Sequence, residues 1–257
     1  MNISFIKSRL IIGCVITTLF LSSCVSKKDV VYFQNAKNFE TIVDTDTFNV
    51  KLKVGDILSI YISTLDLTVT QPYNLIKTTG VGGELIDYLV DIEGNIDYPV
   101  LGKINLLGLT IEEAKQVFKK KFSEGNLLKD PVVIIRVMNF RITVHGEVNS
   151  PGVYYVSGER ISILEALGMA GDLTIKGRRD NVLIVRDFNG AKTYTKIDLT
   201  NKEVFNSPVY YLTQNDYIYV QPNNSAISNA SGDSRVGTII SITSFILTTA
   251  LIFVTRN

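Results

Sequence analysis

The chain has 257 residues, enough for two small domains that each bury a hydrophobic core. Its 26 basic and 25 acidic residues leave a net charge of +1, so its overall field does not favour nucleic acid or an anionic surface. Of the two cysteines, Cys14 lies in an N-terminal apolar run; if that run is cleaved, Cys24 has no intrachain disulfide partner.

The N-terminus has the layout of a secretory signal peptide. Lys7 and Arg9 form a short basic region, residues 10–21 form an apolar run, and Ser23 and Cys24 form the cleavage site. The site resembles a lipobox, which implies cleavage before Cys24 and acylation of the new N-terminal cysteine, with a fatty acid such as palmitate. Several acyl chains together anchor a protein firmly, whereas one binds only marginally. An uncleaved anchor helix and an ordinary secreted precursor are the alternatives.

Two short motifs, far apart in the chain, resemble each other. Residues 52–57 are similar to residues 212–217 in their apolar ends and in a central turn followed by aspartate. Because Gly and Asn readily accept a positive φ, we predict tight turns that feed strands over residues 58–62 and 218–220. The residues assigned to these turns are Gly55, Asp56, Asn215 and Asp216.

A longer match indicates an internal duplication. An offset of 52 positions superposes six residues of the first copy, Gly94, Pro99, Thr110, Ile111, Glu113 and Ala114, on Gly146, Pro151, Ser162, Ile163, Glu165 and Ala166. With a connection two residues shorter, residues 130–136 then match residues 180–186. Each copy predicts the order strand, turn, strand, helix, strand, with structural turns at Gly94, Pro99, Gly146 and Pro151.

Both predicted helices begin with a capping box. Thr110 with Glu113, and Ser162 with Glu165, have the spacing at which hydroxyl and carboxylate each satisfy an unpaired backbone N–H. After the first box, apolar residues recur at helical spacing: Ile111, Ala114, Val117, Phe118 and Phe122. The second helix is shorter and is predicted to end near Gly171. After each helix comes a β-branched run that predicts a central, buried strand: Val132 to Val137 and Val182 to Val185.

The C-terminal segment carries no charge over residues 236–254. At about 1.5 Å per residue it would form a helix of about 28 Å, close to the thickness of a hydrocarbon core, so we predict a transmembrane helix over residues 236–255. One face is small and hydroxylated, with Ser241, Ser244 and Thr248 as candidates for lining a pore or packing at a helix seam. In a lone anchor the stripe would be incidental, because Ser and Thr bond back to their own helix.

Taken together, these motifs resemble the outer-membrane polysaccharide export proteins of Gram-negative capsule and exopolysaccharide systems. The resemblance to the export domain rests on Val54 to Ile60, Tyr88 to Asp91, Gly94 to Ile96, Pro99 to Gly102 and Gly108 to Thr110. The resemblance to a soluble-ligand-binding β-grasp (SLBB) domain rests on Val144 to Val148, Pro151 to Tyr154 and Leu164 to Leu167. Each motif is weak alone, but their order and spacing together are specific.

The resemblance implies a ring of identical lipoproteins, octamer-like, that encloses a periplasmic cavity for a finished polysaccharide in transit. It also implies an inner-membrane polysaccharide copolymerase as a partner at the periplasmic mouth. Outer-membrane lipid is a further partner, and no nucleic acid is expected. Transit does not require a tight sugar site, because a surface that binds too well would stall the polymer.

Several residue groups suggest chemistry but have plainer interpretations. His145 is the only histidine and has no second histidine or cysteine to complete a metal shell, so a cross-strand position is favoured. Three glycines precede no Gly-Lys-Ser/Thr motif and predict a loop: Gly80, Gly82 and Gly83. Three carboxylates fit solvated strand faces as well as a glycosidase pair: Asp87, Asp91 and Asp97. The many strand tyrosines are expected to be half-buried, to lie at protomer contacts or to stack on sugars.

We therefore predict an α+β fold of two consecutive β-grasp-like units forming an elongated periplasmic body, followed by the membrane helix. The predicted segments are a signal peptide (1–23), a lipid-anchored tether (24–47), an export domain (48–139), an SLBB domain (140–222), a linker (223–235) and the helix (236–255). The predicted function is export of capsular or exopolysaccharide across the outer membrane, with no catalytic residue, metal or cofactor. The alternatives are a monomeric lipid-anchored β-grasp protein that binds a ligand or scaffolds an envelope complex, and a glycan hydrolase that depends on Asp91, Asp97 and Glu147.

Overall fold

The computed structural model describes residues 30–38, 50–78, 83–188, 190–230 and 234–256. The predicted signal peptide, the cleavage site at Ser23 and Cys24, and the loop glycines Gly80 and Gly82 lie outside these residues. The described chain is an α+β structure with two separate hydrophobic cores. The buried residues of the first core end at Ile135, and those of the second begin at Phe140.

The first domain is built on a three-stranded antiparallel sheet. Strand β1 (Ile57–Ser63) lies between β4 (Asp87–Leu89) and β7 (Val132–Val137). Two hairpins accompany this sheet: β2 (Ile76–Thr78) with β3 (Gly83–Leu85), and β5 (Asn95–Tyr98) with β6 (Gly102–Asn105). A 3₁₀ helix covers Thr68–Tyr73.

Helix α1 (Ile111–Glu124) packs against β7 and closes the first core. The predicted capping box is confirmed: Glu113 N donates to Thr110 Oγ1 at 3.1 Å, and Thr110 N donates to Glu113 Oε2 at 2.8 Å. Phe118 and Phe122 are fully buried, as their helical spacing predicts. Burying a ring of this size stabilises a fold by roughly 1.5–3 kcal/mol, so these side chains determine which face of α1 meets the sheet.

The second domain is built on a five-stranded sheet in the order β12-β11-β14-β8-β9. Its strands are β8 (Arg141–Gly146), β9 (Gly152–Tyr155), β11 (Gly177–Phe188), β12 (Ala191–Ile197) and β14 (Tyr217–Pro222). Neighbours are antiparallel except for the parallel pair of β14 and β8. A short ladder joins β10 (Ile161–Ser162) to β13 (Tyr211–Leu212), and a 3₁₀ helix covers Lys202–Asn206.

Helix α2 (Ile163–Met169) begins at the second predicted capping box. The Ser162 hydroxyl accepts from Glu165 N at 3.2 Å, and the Glu165 carboxylate accepts from Ser162 N at 2.7 Å. The helix is short, and Gly171 follows it with φ +73°, so the predicted end of the helix is confirmed. Because Ile163, Ala166 and Leu167 are all buried, this short helix still contributes one apolar face to the second core.

The two copies of the duplication share an element order but not the orientation of their last strands. Val133 and Ile135 are buried, whereas their sequence counterparts Leu183 and Val185 are half-buried. Successive strand residues point to opposite faces, so a match of residue types does not ensure a match of faces. The prediction of a central strand holds for β11, but it is wrong for β7, which is an edge strand whose Val132 is exposed.

Two helices follow the second domain. Helix α3 (Asn224–Ala230) occupies part of the predicted linker, and α4 (Ser234–Arg256) covers the predicted C-terminal helix. Crossing a bilayer requires about 20 predominantly apolar residues in a row. No helix within the described ranges is long and apolar enough to meet that requirement. The transmembrane helix predicted over residues 236–255 is therefore not supported.

Candidate functional site at the domain joint

The two similar motifs, residues 52–57 and 212–217, form matching turns where the two domains meet. We call this contact the domain joint. Gly55 has φ +86° and Asn215 has φ +64°, and each precedes a buried aspartate. Asp56 Oδ2 accepts from the backbone N of Lys53 at 2.8 Å, and Asp216 Oδ2 accepts in the same way from the N three residues earlier at 2.7 Å. Each turn therefore carries its own buried carboxylate immediately before a sheet strand begins.

The carboxylates of Asp56 and Asp216 differ in their hydrogen-bond and ion-pair partners. Asp216 pairs with the Arg186 guanidinium, whose Nε lies 3.0 Å from Oδ1 and whose second nitrogen lies 2.7 Å from Oδ2. Asp56 Oδ1 is buried and has no hydrogen-bond partner among the described residues. Burial raises the pKa of Asp56 above its ordinary value, an effect that its backbone bond and the nearby Lys53 ammonium only partly offset.

Strand register explains this difference. Continuing the β1–β7 register by two residues places Asn139 opposite Asp56, at the position that Arg186 holds on β11 opposite the second aspartate. Asn139 uses its amide on the backbone instead: Nδ2 donates to Gly55 O and Oδ1 accepts from Ile57 N, both at 2.9 Å. The first turn is thus fixed by an amide, and in the described part of the chain no guanidinium lies opposite its carboxylate.

Side chains from the turns and the connecting segment join the two domains. Lys53 Nζ donates to Thr213 Oγ1 at 2.9 Å, so the first turn is bonded directly to the second. Gln214 Nε2 donates to Asn139 O, and its Oε1 accepts from Arg141 N, both at 2.7 Å. Burial lowers the pKa of Lys53, and the Asp216 carboxylate partly offsets this effect. These bonds connect parts of the chain that only the fold brings together.

Two cavities adjoin the joint. The larger, of about 1020 Å³, is lined by residues of both domains, among them Lys51, Lys53, Lys192, Asp187 and Tyr217. The smaller, of about 630 Å³, contains the buried Asp56 in its wall and is lined on other sides by Arg136, Met138, Tyr155 and Glu159. The joint is therefore a polar contact with open clefts beside it.

The other predicted turn residues lie at strand ends. Gly94 has φ +83° and Gly146 has φ +95°, and a Cβ on Gly146 would lie 2.0 Å from Val220 O. Pro99 lies in the connection between β5 and β6, and Pro151 directly precedes β9. These four residues shape hairpins within each domain and do not converge on the joint.

The hydroxylated stripe of α4 bonds to its own helix in the single chain. Ser241 Oγ donates to Gly237 O at 2.8 Å, and Thr248 Oγ1 donates to Ser244 O at 2.6 Å. All three predicted residues, Ser241, Ser244 and Thr248, are exposed. Their role at a pore or a helix seam stays a prediction.

The described residues that suggested metal or hydrolytic chemistry do not form a metal site, and two of the carboxylates make hydrogen bonds within the fold. No group of three or more His, Cys, Asp or Glu within the described residues is arranged to hold a metal ion. Asp91 Oδ1 accepts from Glu93 N and Asn95 N, which stabilises the turn before β5. Glu147 accepts from the Thr174 hydroxyl at 2.8 Å. The remaining predicted carboxylates, Asp87 and Asp97, line an open cavity of about 560 Å³ beside Tyr88 and Tyr98.

The predicted tether makes a contact that the sequence analysis does not predict. Tyr32 and Phe33 pack against the second core, and Tyr32 OH donates to Asp172 Oδ1 at 2.5 Å. Gln34 N donates to Thr200 O at 2.7 Å. We name residues 30–38 the clasp, because they precede the first domain in the chain yet bind the second. Tyr32 and Phe33, two adjacent aromatic residues in a polar stretch, are the sequence feature that indicates such a contact.

Comparisons with known proteins match this two-domain arrangement. The family described as "Polysaccharide biosynthesis/export protein" matches residues 44–138, and the SLBB domain matches residues 141–196. The "EPS I polysaccharide export outer membrane protein EpsA" of Ralstonia nicotianae is 30% identical over 156 residues, which is 56% of this chain and 40% of the relative. A protein of the same name from Ralstonia solanacearum is 28% identical over 136 residues, 49% of this chain and 35% of the relative. The chain thus spans about two fifths of these relatives or less.

Fold and joint define a two-domain α+β protein whose domains are held together by buried polar turns. The two family matches fall on these two domains in chain order. Residues 44–138 therefore form a domain of the polysaccharide export family, and an SLBB domain over residues 141–196 follows it.

Proposed function

We propose that this protein is an outer-membrane component that assembles into a ring for the export of an extracellular or capsular polysaccharide. The observation that carries the proposal is the export domain followed directly by an SLBB domain, the order in which both family matches occur. Both curated relatives are named as polysaccharide export outer membrane proteins. A polysaccharide in transit and an inner-membrane copolymerase are the partners that this role requires.

The surface of α4 supports self-association. Its described apolar side chains, Ile240, Ile242, Phe245, Ile246 and Ile252, are each more than half exposed. A helix with so much exposed apolar surface is not left without a partner in water. We therefore expect other copies of the chain to bury this surface of α4. The small hydroxylated face at Ser241, Ser244 and Thr248 would permit close approach of neighbouring helices.

The clasp supports a defined orientation for a lipid-anchored chain. If Cys24 is acylated, seven residues lie between it and Tyr32, and the eight fully extended Cα-to-Cα steps reach about 28 Å. Because Tyr32 binds the second domain, that domain would lie near the outer membrane. The export domain would then point into the periplasm, toward the copolymerase.

The alternative function is a monomeric, lipid-anchored β-grasp protein that binds a ligand or scaffolds an envelope complex. It is compatible with the same fold, because a fold alone does not fix a function. Exposed apolar residues on α4 favour the assembling protein.

Cysteine cross-linking tests the assembly. In detergent-extracted, full-length protein, Ser244→Cys and Thr248→Cys should form disulfide-linked copies, whereas the control Ser123→Cys, at an exposed serine of α1, should not. A strain lacking the gene should regain surface polysaccharide with the parent chain but not with a chain lacking residues 234–256. Equal cross-linking at all three positions, together with full export by the shortened chain, would leave the monomeric alternative in place.

A further inference from the structure

The outer face of the five-stranded sheet carries a row of aromatic side chains. Strand β14 pairs with β8 so that Tyr217 lies beside Thr143 and Tyr219 lies beside His145. Ile218 and Val220, the residues that alternate with these tyrosines, are fully buried in the second core. Because alternate residues point to opposite faces, the tyrosines and His145 share the face turned away from the core.

The three rings form a shallow row. The His145 and Tyr217 ring centroids are 6.2 Å apart with planes inclined by 33°, and those of His145 and Tyr219 are 6.3 Å apart with planes inclined by 24°. Tyr217 is 36% exposed, and Tyr219 is half-buried. Three similarly inclined, accessible rings in a row offer a flat contact surface rather than a closed pocket.

Neighbouring strands extend this surface. Leu183 pairs with Tyr219 across β11, and Val185 pairs with Tyr217, so both aliphatic side chains lie on the same face. Tyr194 pairs with Val185 from β12 and is 68% exposed. We name the set His145, Leu183, Val185, Tyr194, Tyr217 and Tyr219 the aromatic face.

The aromatic face runs into the larger cavity at the domain joint. Tyr217 and Val185 belong to both, and the cavity also contains three lysines, Lys51, Lys53 and Lys192, but only one carboxylate, that of Asp187. The ammonium groups therefore outnumber the carboxylate at the end of the row. A ligand that fits both regions has flat apolar surfaces and negative charge.

We propose that the aromatic face and the lysine-lined cavity bind an acidic polysaccharide, and the proposal rests on the export function proposed above. A pyranose ring has an apolar C–H face that packs on an aromatic ring, and uronic-acid carboxylates are attracted to lysine ammonium groups. A row without enclosing walls leaves most of each sugar in water. Binding is therefore weak and exchangeable, which suits a polymer that must keep moving.

A calorimetric titration of the full-length protein in detergent tests the proposal with two defined probes. Oligogalacturonate supplies the acidic sugar chain, and a maltooligosaccharide of equal length supplies a neutral chain with the same type of linkage. The parent should bind the acidic probe more tightly, and added salt should reduce that preference. A parent that binds neither probe, or binds both equally at every salt concentration, overturns the proposal.

Substitutions separate stacking from charge and from simple apolar contact. Tyr217→Leu keeps an apolar side chain but removes the ring, so it should weaken both probes by about threefold or more, whereas Tyr217→Phe should bind like the parent. Lys192→Glu should weaken only the acidic probe, by about threefold, while Lys120→Glu on α1 should change nothing. Lys192 is exposed, so Lys192→Glu should fold. It therefore still tests the proposal if Tyr217→Leu fails to fold.

The remaining outcomes are distinguishable. If Tyr217→Leu separates assembled copies in sedimentation but binds both probes like the parent, the aromatic face is a contact between copies and the proposal fails. If the parent restores polysaccharide export in a deletion strain but binds neither probe, only this inference is lost. If the parent does not restore export, the proposed function fails whatever the titrations give.

Discussion

Lys53 in the first domain places its ammonium nitrogen 2.9 Å from the hydroxyl oxygen of Thr213 in the second. The Thr213 hydroxyl in turn donates to Asp216 Oδ1 at 3.0 Å, and Asp216 is paired with Arg186. One lysine thus connects the turn of the export domain to the buried ion pair of the SLBB domain. This short chain of polar contacts links the two domains, together with the bonds that Gln214 makes to Asn139 and Arg141.

Removing the Lys53 ammonium should weaken the joint. Lys53→Met keeps most of the aliphatic stem and should lower the free energy of unfolding by about 1 kcal/mol, the usual net value of one hydrogen bond. Combined with Thr213→Val, it should show a coupling energy in a double-mutant cycle measured by chemical denaturation. Lys51→Met, an exposed neighbour, is the control. Additive single effects would mean that the bond contributes nothing to stability.

The two buried aspartates should respond differently to truncation. Asp216→Ala removes the carboxylate that pairs with the largely buried Arg186 guanidinium, so we expect a loss of about 3 kcal/mol or more. Asp56→Asn keeps an oxygen that can accept from Lys53 N and removes an unpaired carboxylate, so stability at neutral pH should be unchanged or higher. Denaturant titrations of both variants check the contrast. Equal losses would contradict it.

Asp56 should also give the protein a specific pH dependence. Burial raises its pKa in the folded state, so the folded chain holds this proton more tightly than the unfolded chain does. The contribution of Asp56 to stability is therefore most favourable in acid and is lost as pH rises from about 3.9, the ordinary carboxyl value, through the raised pKa. The measurement is the difference in unfolding free energy between parent and Asp56→Asn across this window. A difference independent of pH would contradict the assignment.

Two glycines with similar φ angles should differ in their tolerance of alanine. At Gly55 a Cβ would meet nothing within 4 Å, so Gly55→Ala should cost about 1–2 kcal/mol from the positive φ alone. At Gly146 the Cβ would lie 2.0 Å from Val220 O, within the β14–β8 ladder. Gly146→Ala should therefore cost more than about 3 kcal/mol or prevent folding. Thermal unfolding of the matched pair gives the comparison.

The clasp should open when its hydroxyl contact is removed. Tyr32→Phe loses the bond to Asp172, worth about 1 kcal/mol, so the Gln34 amide should exchange with solvent about fivefold faster. Hydrogen exchange followed by mass spectrometry of the clasp peptide measures this change. Tyr155→Phe, an exposed tyrosine of the same domain, should leave the exchange rate unaltered. Unchanged exchange in Tyr32→Phe would mean that ring packing alone holds the clasp.

Locally determined features were predictable from the sequence. Both capping boxes formed because hydroxyl, carboxylate and the N–H groups they satisfy lie within four consecutive residues. The buried face of α1 followed from helical spacing, since Ala114, Phe118 and Phe122 lie on one side of any α-helix. The end of α2 near Gly171 followed from the freedom of glycine at positive φ.

Features that depend on strand register were not predictable. The duplication matched Arg136 to Arg186 by sequence, yet Arg136 is exposed, and Asn139 takes the place opposite Asp56. A small shift in pairing turned one arginine outward and left one carboxylate unpaired, because side chains alternate between faces with a period of two. The edge position of β7 has the same origin, since no local signal says which strands will lie on either side.

The sequence by itself determined the identity of the two domains, their helix starts and their turns, because each rests on interactions between residues close together in the chain. Only the tertiary structure decided that the clasp binds the second domain, that Lys53 reaches Thr213, and that His145, Tyr217 and Tyr219 share one exposed face. These contacts join residues separated by tens to more than a hundred positions. Their formation depends on how sheets pair and pack, which short-range patterns do not encode.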